Sequence, residues 1–218
     1  MDGVSNRRRR LSVPRSAAFW AIAFIVLAVQ PVTAVQAQSS RFRDTGGSVH
    51  AADIDLIAQW GITVGCNPPA NDLFCPENNV TRGQMAAFMR RSFRTPTSQY
   101  DYFYDDDASV FEADINSITA VGITKGCNPP TSSQYCVNSN ITRGQMAAFL
   151  VRTLDLPSGP DVFSDDSTSI FEGDINALAA AGIAKGCGED RFCPDALVTR
   201  QQMASFLVRA LDHLGCKA

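Results

Sequence analysis

Three arginines carry the first chemical question. Arg82, Arg143 and Arg200 each follow a threonine, in VTRGQMAAFM (Val80–Met89), ITRGQMAAFL (Ile141–Leu150) and VTRQQMASFL (Val198–Leu207). The pattern puts each arginine in the first turn of a helix. A cation there opposes the partial positive charge of the helix start, at a cost of about 0.3–1 kcal/mol. Anion binding would justify that cost. Free first-turn N–H groups favour an anion, and a guanidinium adds a planar fork matched to a carboxylate. The plainer alternative is an exposed arginine that the helix tolerates. Asp44, Asp105 and Asp165 recur with the arginines, each closing a Phe-x-Asp segment. We read them either as ligand-binding groups or as turn formers and caps.

Other chemistries have less to stand on. There are two histidines, His50 and His213, and neither belongs to a repeated polar constellation. No Gly-x-Ser-x-Gly or metal-binding histidine motif occurs. The runs Asp105-Asp106-Asp107 and Asp165-Asp166 lack the order and closing glutamate of a calcium loop. We therefore expect no enzyme, no metal and no cofactor. Six of the seven cysteines form local pairs: Cys66 with Cys75, Cys127 with Cys136, Cys187 with Cys193. Disulfides are the expectation for an exported chain. Zinc is the rival, and no histidine lies near any pair. Cys216 is left over, either free or joined to another chain.

These residues are positioned by a threefold internal repeat. The Phe-x-Asp segments recur after 61 and 60 residues, as do Gly61-Ile62, Gly122-Ile123 and Gly182-Ile183. The Thr-Arg motif recurs after 61 and then 57, because the third cysteine loop is shorter. The repeats span 41–94, 102–155 and 162–212, joined by Pro/Ser/Gly-containing linkers. Each predicts two helices. In the first helix of the second copy, Ser109 and Glu112 suit a capping box, and Phe111, Ile115 and Ile118 follow at helical spacing. Gly122 closes that helix as a left-handed cap onto which Ile123 folds back. Ser169, Glu172, Phe171, Ile175, Leu178, Gly182 and Ile183 repeat the pattern. The first copy departs from it, with Ala51 in place of the glutamate and His50 in place of the phenylalanine.

The second helix is marked more strongly. Thr81 with Gln84, Thr142 with Gln145 and Thr199 with Gln202 predict capping boxes. Val80 with Met85, and its two counterparts, predict hydrophobic staples. Apolar stripes such as Met146, Phe149, Leu150 and Leu154 predict a buried face. Gly83 and Gly144 follow their arginines where the third copy has Gln201, so three sites built this way would not be equivalent. Two short helices bury little alone; about 180 residues of three copies can share a core.

The chain as a whole fits export. Residues 1–37 read as a secretory signal: arginines at 7–10 and 15, an apolar run from Ala17 to Val29, and Val35-Gln36-Ala37 as a cleavage site. An uncleaved anchor and a twin-arginine signal are the alternatives. The full chain has 19 Lys+Arg and 22 Asp+Glu; without the five arginines and one aspartate of 1–37, 14 and 21 remain, a net charge of −7. That balance argues against a nucleic-acid surface. No later segment is apolar for long enough to span a membrane.

The order Phe-x-Asp, apolar helix, Gly-Ile-x-x-Gly, aromatic-x-Pro and Ile/Val-Thr-Arg resembles the S-layer homology family. Here it reads Phe103-Tyr104-Asp105, Gly122-Ile123-Thr124-Lys125-Gly126, Phe74-Cys75-Pro76 and Ile141-Thr142-Arg143. The resemblance covers nearly all of the chain after residue 37. It implies an all-α fold, with three tandem helix–loop–helix repeats in a pseudo-threefold bundle and grooves between them. It also implies non-covalent anchoring to a secondary cell wall polysaccharide, often pyruvylated. The family's Thr-Arg-Ala-Glu signature is matched in its Thr and Arg, while its Glu becomes Gln84, Gln145 and Gln202. Its groove tryptophan maps to His50, Phe111 and Phe171. The glycan-binding set it implies is Arg82, Arg143, Arg200, Asp44, Asp105, Asp165, Gly65, Gly126, Gly186, Phe111 and Phe171. We expect a secreted cell-wall module whose partner is the wall polysaccharide, with a second partner held through Cys216 as an option. The alternative is an adhesive envelope protein that uses the bundle for protein contacts.

Overall fold

Six helices form where the sequence places them. They are α1 (Ala51–Gln59), α2 (Arg82–Phe93), α3 (Glu112–Ala120), α4 (Arg143–Leu154), α5 (Glu172–Ala180) and α6 (Arg200–His213). The computed structural model describes residues 40–216; the expected secretory signal, residues 1–37, lies outside the described residues. Among the described residues the fold is all-α, with extended chain pairing only at isolated bridges. No described helix is long and apolar enough to cross a membrane.

The second helix of each copy starts as its sequence dictates. Thr81, Thr142 and Thr199 accept from the N3 amide, and Gln84, Gln145 and Gln202 reach back to complete the box. Such a cap is worth about 1 kcal/mol. The first helices end at Gly61, Gly122 and Gly182, each with positive φ, and Ile62, Ile123 and Ile183 donate back to Ile57, Ile118 and Leu178. Three disulfides close the connecting loops, Cys66–Cys75, Cys127–Cys136 and Cys187–Cys193. Loops this short contribute roughly 2–3 kcal/mol each in the chain-entropy account.

One expected cap is corrected. Ser109 and Ser169 do not box the N3 position of α3 and α5. Their hydroxyls accept from the amides of Phe111 and Phe171, and the helices have no side-chain cap. The serine lies a turn too early: Glu112 N donates to the Ser109 carbonyl, which closes a turn ahead of the helix.

The copies close on one another in a ring. α2 packs on α3, α4 on α5 and α6 on α1. At the centre the three residues that precede the caps hydrogen-bond cyclically. Val80 N donates to Val198 O, Val198 N to Ile141 O, and Ile141 N to Val80 O, at 2.9, 3.1 and 2.9 Å. All three are fully buried in a single core with Met85, Met146 and Met203. Each such apolar side chain contributes about 1.5–3 kcal/mol on burial. The principal helix partner of every copy thus belongs to its neighbour.

Candidate functional site

Each candidate arginine leaves its own copy at once. Arg82, Arg143 and Arg200 are buried, each 5% exposed, rather than tolerated at the surface. Their Nε atoms donate at 2.7 Å to the carbonyls of Tyr135, Phe192 and Phe74, in the cysteine loop of the next copy around the ring. Each guanidinium lies between two rings. Arg82 has Tyr135 and Phe149 at 4.7 and 5.6 Å, Arg143 has Phe192 and Phe206 at 4.6 and 5.4 Å, and Arg200 has Phe74 and Phe88 at 4.8 and 5.5 Å. A desolvated cation–π contact can be worth 2 kcal/mol or so.

The carboxylates complete the same unit from the other side. Asp44 accepts from the amides of Phe74 and Cys75, Asp105 from Tyr135 and Cys136, and Asp165 from Phe192 and Cys193, all at 2.7–2.9 Å. One aromatic residue therefore gives its N–H to the aspartate, its carbonyl to the arginine and its ring to the guanidinium. The two charges sit in cyclic register, Asp105 by Arg82, Asp165 by Arg143 and Asp44 by Arg200. Burial disfavours each arginine's charge, and the facing aspartate partly restores it; burial brings Arg200 down to about 10. All three remain cations at neutral pH.

The expected free amides at the helix starts are not free. Arg82 N and Gly83 N donate to Ser139 and Val137, Arg143 N and Gly144 N to Ala196 and Pro194, Arg200 N and Gln201 N to Asn78 and Pro76. The third amide is taken by the threonine cap. Any anion held here meets side-chain cations, with no help from the helix termini.

Grooves lie over these clamps, and each draws on all three copies. One, of about 460 Å³, is lined by Gly65, Asn79, Gln84 and Arg91 of the first copy, Phe111 of the second and Arg200 of the third. A second, of about 580 Å³, is its rotated counterpart, with Gly126, Lys125, Gln145, Arg152, Phe171 and Arg82. By repeat position, Gly186, Lys185, Gln202, Arg209, His50 and Arg143 are the corresponding residues of the third seam. Gly65, Gly126 and Gly186 have positive φ, and a Cβ on them would meet the carbonyls of Leu73, Gln134 and Arg191 at 2.6–2.9 Å. They let the two arms of the cysteine loop cross beside the groove. Arg91, Arg152 and Arg209 are tied to the carbonyls of Ile62, Ile123 and Ile183. The Nη2 atoms of Arg143 and Arg200 are buried without a partner among the described residues. That of Arg82 reaches Gly126 O at 3.3 Å.

The glycines after two of the arginines make room for rings. A Cβ on Gly83 would meet Phe111 at 2.6 Å and Val137 at 2.8 Å, and one on Gly144 would meet Phe171 at 2.7 Å. The third seam is polar instead. Ser48 donates to Gln201 Oε1 at 2.6 Å, His50 Nδ1 is bonded to Ser205 Oγ at 2.7 Å, and Ser205 donates to Asp53.

Phe74, Tyr135 and Phe192, central to every clamp, were not among the expected site residues. Their signal was present as an aromatic residue before the second cysteine of each pair, but its partners lie 49–126 residues away.

Comparison with known proteins accords with this architecture. The family model described as "S-layer homology domain" matches residues 162–204. A 200-residue stretch is 25% identical to the Surface-layer 125 kDa protein of Lysinibacillus sphaericus, over 88% of this chain and 16% of that protein. The Middle cell wall protein of Brevibacillus brevis is 28% identical over 47% of this chain and 10% of its own length. An Endoglucanase of a Bacillus species is 29% identical over 62% of this chain and 15% of its own. The chain therefore spans less than a fifth of the length of these relatives. Residues 162–204 thus carry an S-layer homology domain, and the relatives place the chain at the cell surface or cell wall.

Proposed function

Because the chain carries an S-layer homology domain, we propose that it anchors by binding an anionic secondary cell wall polysaccharide in the grooves between its repeats. The repeats at 41–94, 102–155 and 162–212 are the units that build those grooves. The supporting observation is the concentration of cations there in a chain that is acidic overall. The second groove gathers Arg82, Lys125 and Arg152 above an aromatic floor of Phe149 and Phe171. Arg82, Arg143 and Arg200 form the cationic base, Phe111 and Phe171 offer apolar faces to sugar rings, and Gly65, Gly126 and Gly186 keep the loop wall thin. Asp44, Asp105 and Asp165 act from beneath by fixing the loop and the arginine. A pyruvyl ketal suits the site because it carries one carboxylate on a compact ring. The chain acts as a binder rather than a catalyst: its recurrent Phe-x-Asp carboxylates are committed to backbone amides.

The test is co-sedimentation with purified cell walls, before and after acid extraction of the secondary polymer. Wild type should sediment with intact walls and stay in solution with extracted ones. Lys125→Glu with Lys185→Glu, at exposed loop positions, should lower the bound fraction several-fold with the melting curve unchanged. Equal sedimentation with extracted walls would assign the anchoring to protein contacts. Equal binding by the charge-reversed variant would remove the cationic groove.

A further inference from the structure

Away from the clamps, the second copy buries a charge that the anchoring role does not use. Asp106 lies in the turn between the Phe103-Tyr104-Asp105 segment and α3. It is 0% exposed, yet neither carboxylate oxygen has a hydrogen-bond partner among the described residues. Carboxylate oxygens of Asp101 and Asp107, both exposed residues, converge on it, so that one oxygen from each of the three lies within 4.8 Å of the others. A surface pocket lined by Asp101, Glu112 and Tyr100 opens alongside. Burial first, then Asp101, Asp105 and Glu112, push the Asp106 carboxyl up to about 6.

The other copies show that this arrangement is a substitution in a fixed frame. Sixty-one residues earlier, Ser40 and Thr45 occupy the places of Asp101 and Asp106. Their hydroxyls are 2.9 Å apart, and Thr45 donates to Phe42 O. There the pair is neutral and satisfied, and Ala51 stands in the place of Glu112. In the third copy Asp161, Asp166 and Glu172 return. Asp166 is again 0% exposed with both oxygens unpartnered, and Ser167 replaces Asp107. One backbone thus carries a hydrogen-bonded hydroxyl pair in one copy and opposed carboxylates in two. Opposed carboxylates need a positive charge between them.

We propose that Asp101, Asp106 and Asp107 form a binding site for a divalent hard cation of the calcium type, with Asp106 as its buried ligand. Calcium takes six to eight oxygens at about 2.3–2.6 Å, so oxygens across the ion stand about 4.6–5.2 Å apart. All three converging oxygens lie within 4.8 Å of one another, close enough to share one such ion. Calcium accepts the irregular oxygen geometry of such a turn, whereas magnesium demands a near-ideal octahedron. Water completes the shell from the side of Asp101 and Asp107. The bound ion ties the linker at Asp101 to the turn that precedes α3, and so holds the second copy to the chain leading into it. The third copy, one carboxylate short, makes a weaker version.

Three of the chain's four tyrosines, Tyr102, Tyr104 and Tyr135, lie in the second copy and Tyr100 in the linker leading into it, which gives the site its own reporter. Terbium, a luminescent stand-in for calcium, is titrated into the full chain with its disulfides intact, in chelator-treated buffer, and excited through tyrosine. Saturable emission that calcium displaces is the expected result. The double variant Asp101→Ser, Asp106→Thr installs the pair that the first copy already folds around. It should lose at least about tenfold in affinity, since ligand charge sets calcium affinity, with an unchanged circular dichroism spectrum. Asp107→Ser, at an exposed position, should lose affinity by a smaller factor and covers the case of a misfolded double variant. The proposal falls if wild type gives no saturable emission, if calcium does not displace terbium, or if the folded variants bind as wild type does. A melting temperature indifferent to calcium but rising as the pH is lowered toward 5 would assign the positive charge to a shared proton and overturn it as well.

Discussion

Two kinds of seam join the copies of this bundle. Between the first and second copies, and between the second and third, a phenylalanine ring lies on a glycine: Phe111 on Gly83, Phe171 on Gly144. Between the third and first, His50, Ser48 and Asp53 meet Gln201 and Ser205 through hydrogen bonds. The backbone plan is the same at all three, with an equivalent arginine clamp and an equivalent link in the central ring. The difference teaches that the seam is chosen as a set. Where the first helix offers an aromatic ring, the second must give up its Cβ. Where it offers imidazole and hydroxyl, the second answers with amide and hydroxyl. The clamp is therefore the common structural device, and the ring or polar patch is the part free to vary.

Removing the common device should have the largest effect. Arg82→Ala, Arg143→Ala and Arg200→Ala each lose a charged hydrogen bond and two ring contacts, and should each lower unfolding stability by about 3 kcal/mol in urea titrations. Similar losses at all three would hold the seams equal beneath their different faces; a loss below about 1 kcal/mol at the polar seam alone would break that equality. Next in size is an exchange of seam type. Gly144→Gln forces a side chain into Phe171 and should cost about 1–3 kcal/mol by overpacking. Adding Phe171→His should return part of that loss in a double-mutant cycle, and strict additivity would show that the two positions are not a set.

The smallest expected effect is read by acid at the third cysteine loop. Burial raises the Asp165 carboxyl, but the amides of Phe192 and Cys193 and the Arg191 guanidinium hold it below its ordinary 3.8. A carboxyl held low in the folded state adds stability above the unfolded value and loses it as the pH falls through the folded one. Wild type should therefore weaken progressively below about pH 4, and Asp165→Asn should be less stable at neutral pH with a shallower acid limb. Unfolding midpoints measured from pH 7 to 2.5 distinguish the two. Parallel curves would mean that the carboxylate contributes nothing through its charge.

What was legible in the sequence is what the chain does with its near neighbours. Thr81 and Gln84 are three residues apart, Gly122 caps the helix it ends, and six of the seven cysteines find a partner within nine residues. Caps and apolar stripes carried the two helices of each copy, and the resemblance to the S-layer homology family carried the all-α bundle. What was not legible depends on another copy. Arg82 is misplaced as a member of its own helix and well placed once Tyr135 O and Asp105 stand opposite, and nothing in VTRGQ points to either. His50 and Ala51 look like the irregularities of a terminal repeat. In the fold His50 belongs to the first copy's half of a seam, and its partner there is 155 residues away. Ser109 erred in the opposite sense, because a capping pattern is satisfied by a turn as readily as by a helix.

The ring of Val80, Ile141 and Val198 has one more consequence. Each of the three donates one backbone bond and accepts one, so the cycle is complete at three members and offers no place for a fourth. A stack of repeats open at both ends can lengthen by duplication, and its grip grows one unit at a time. A closed cycle has neither a first nor a last member. What the fold specifies is the circular order of its parts, and a stronger hold must come from whole trios set side by side.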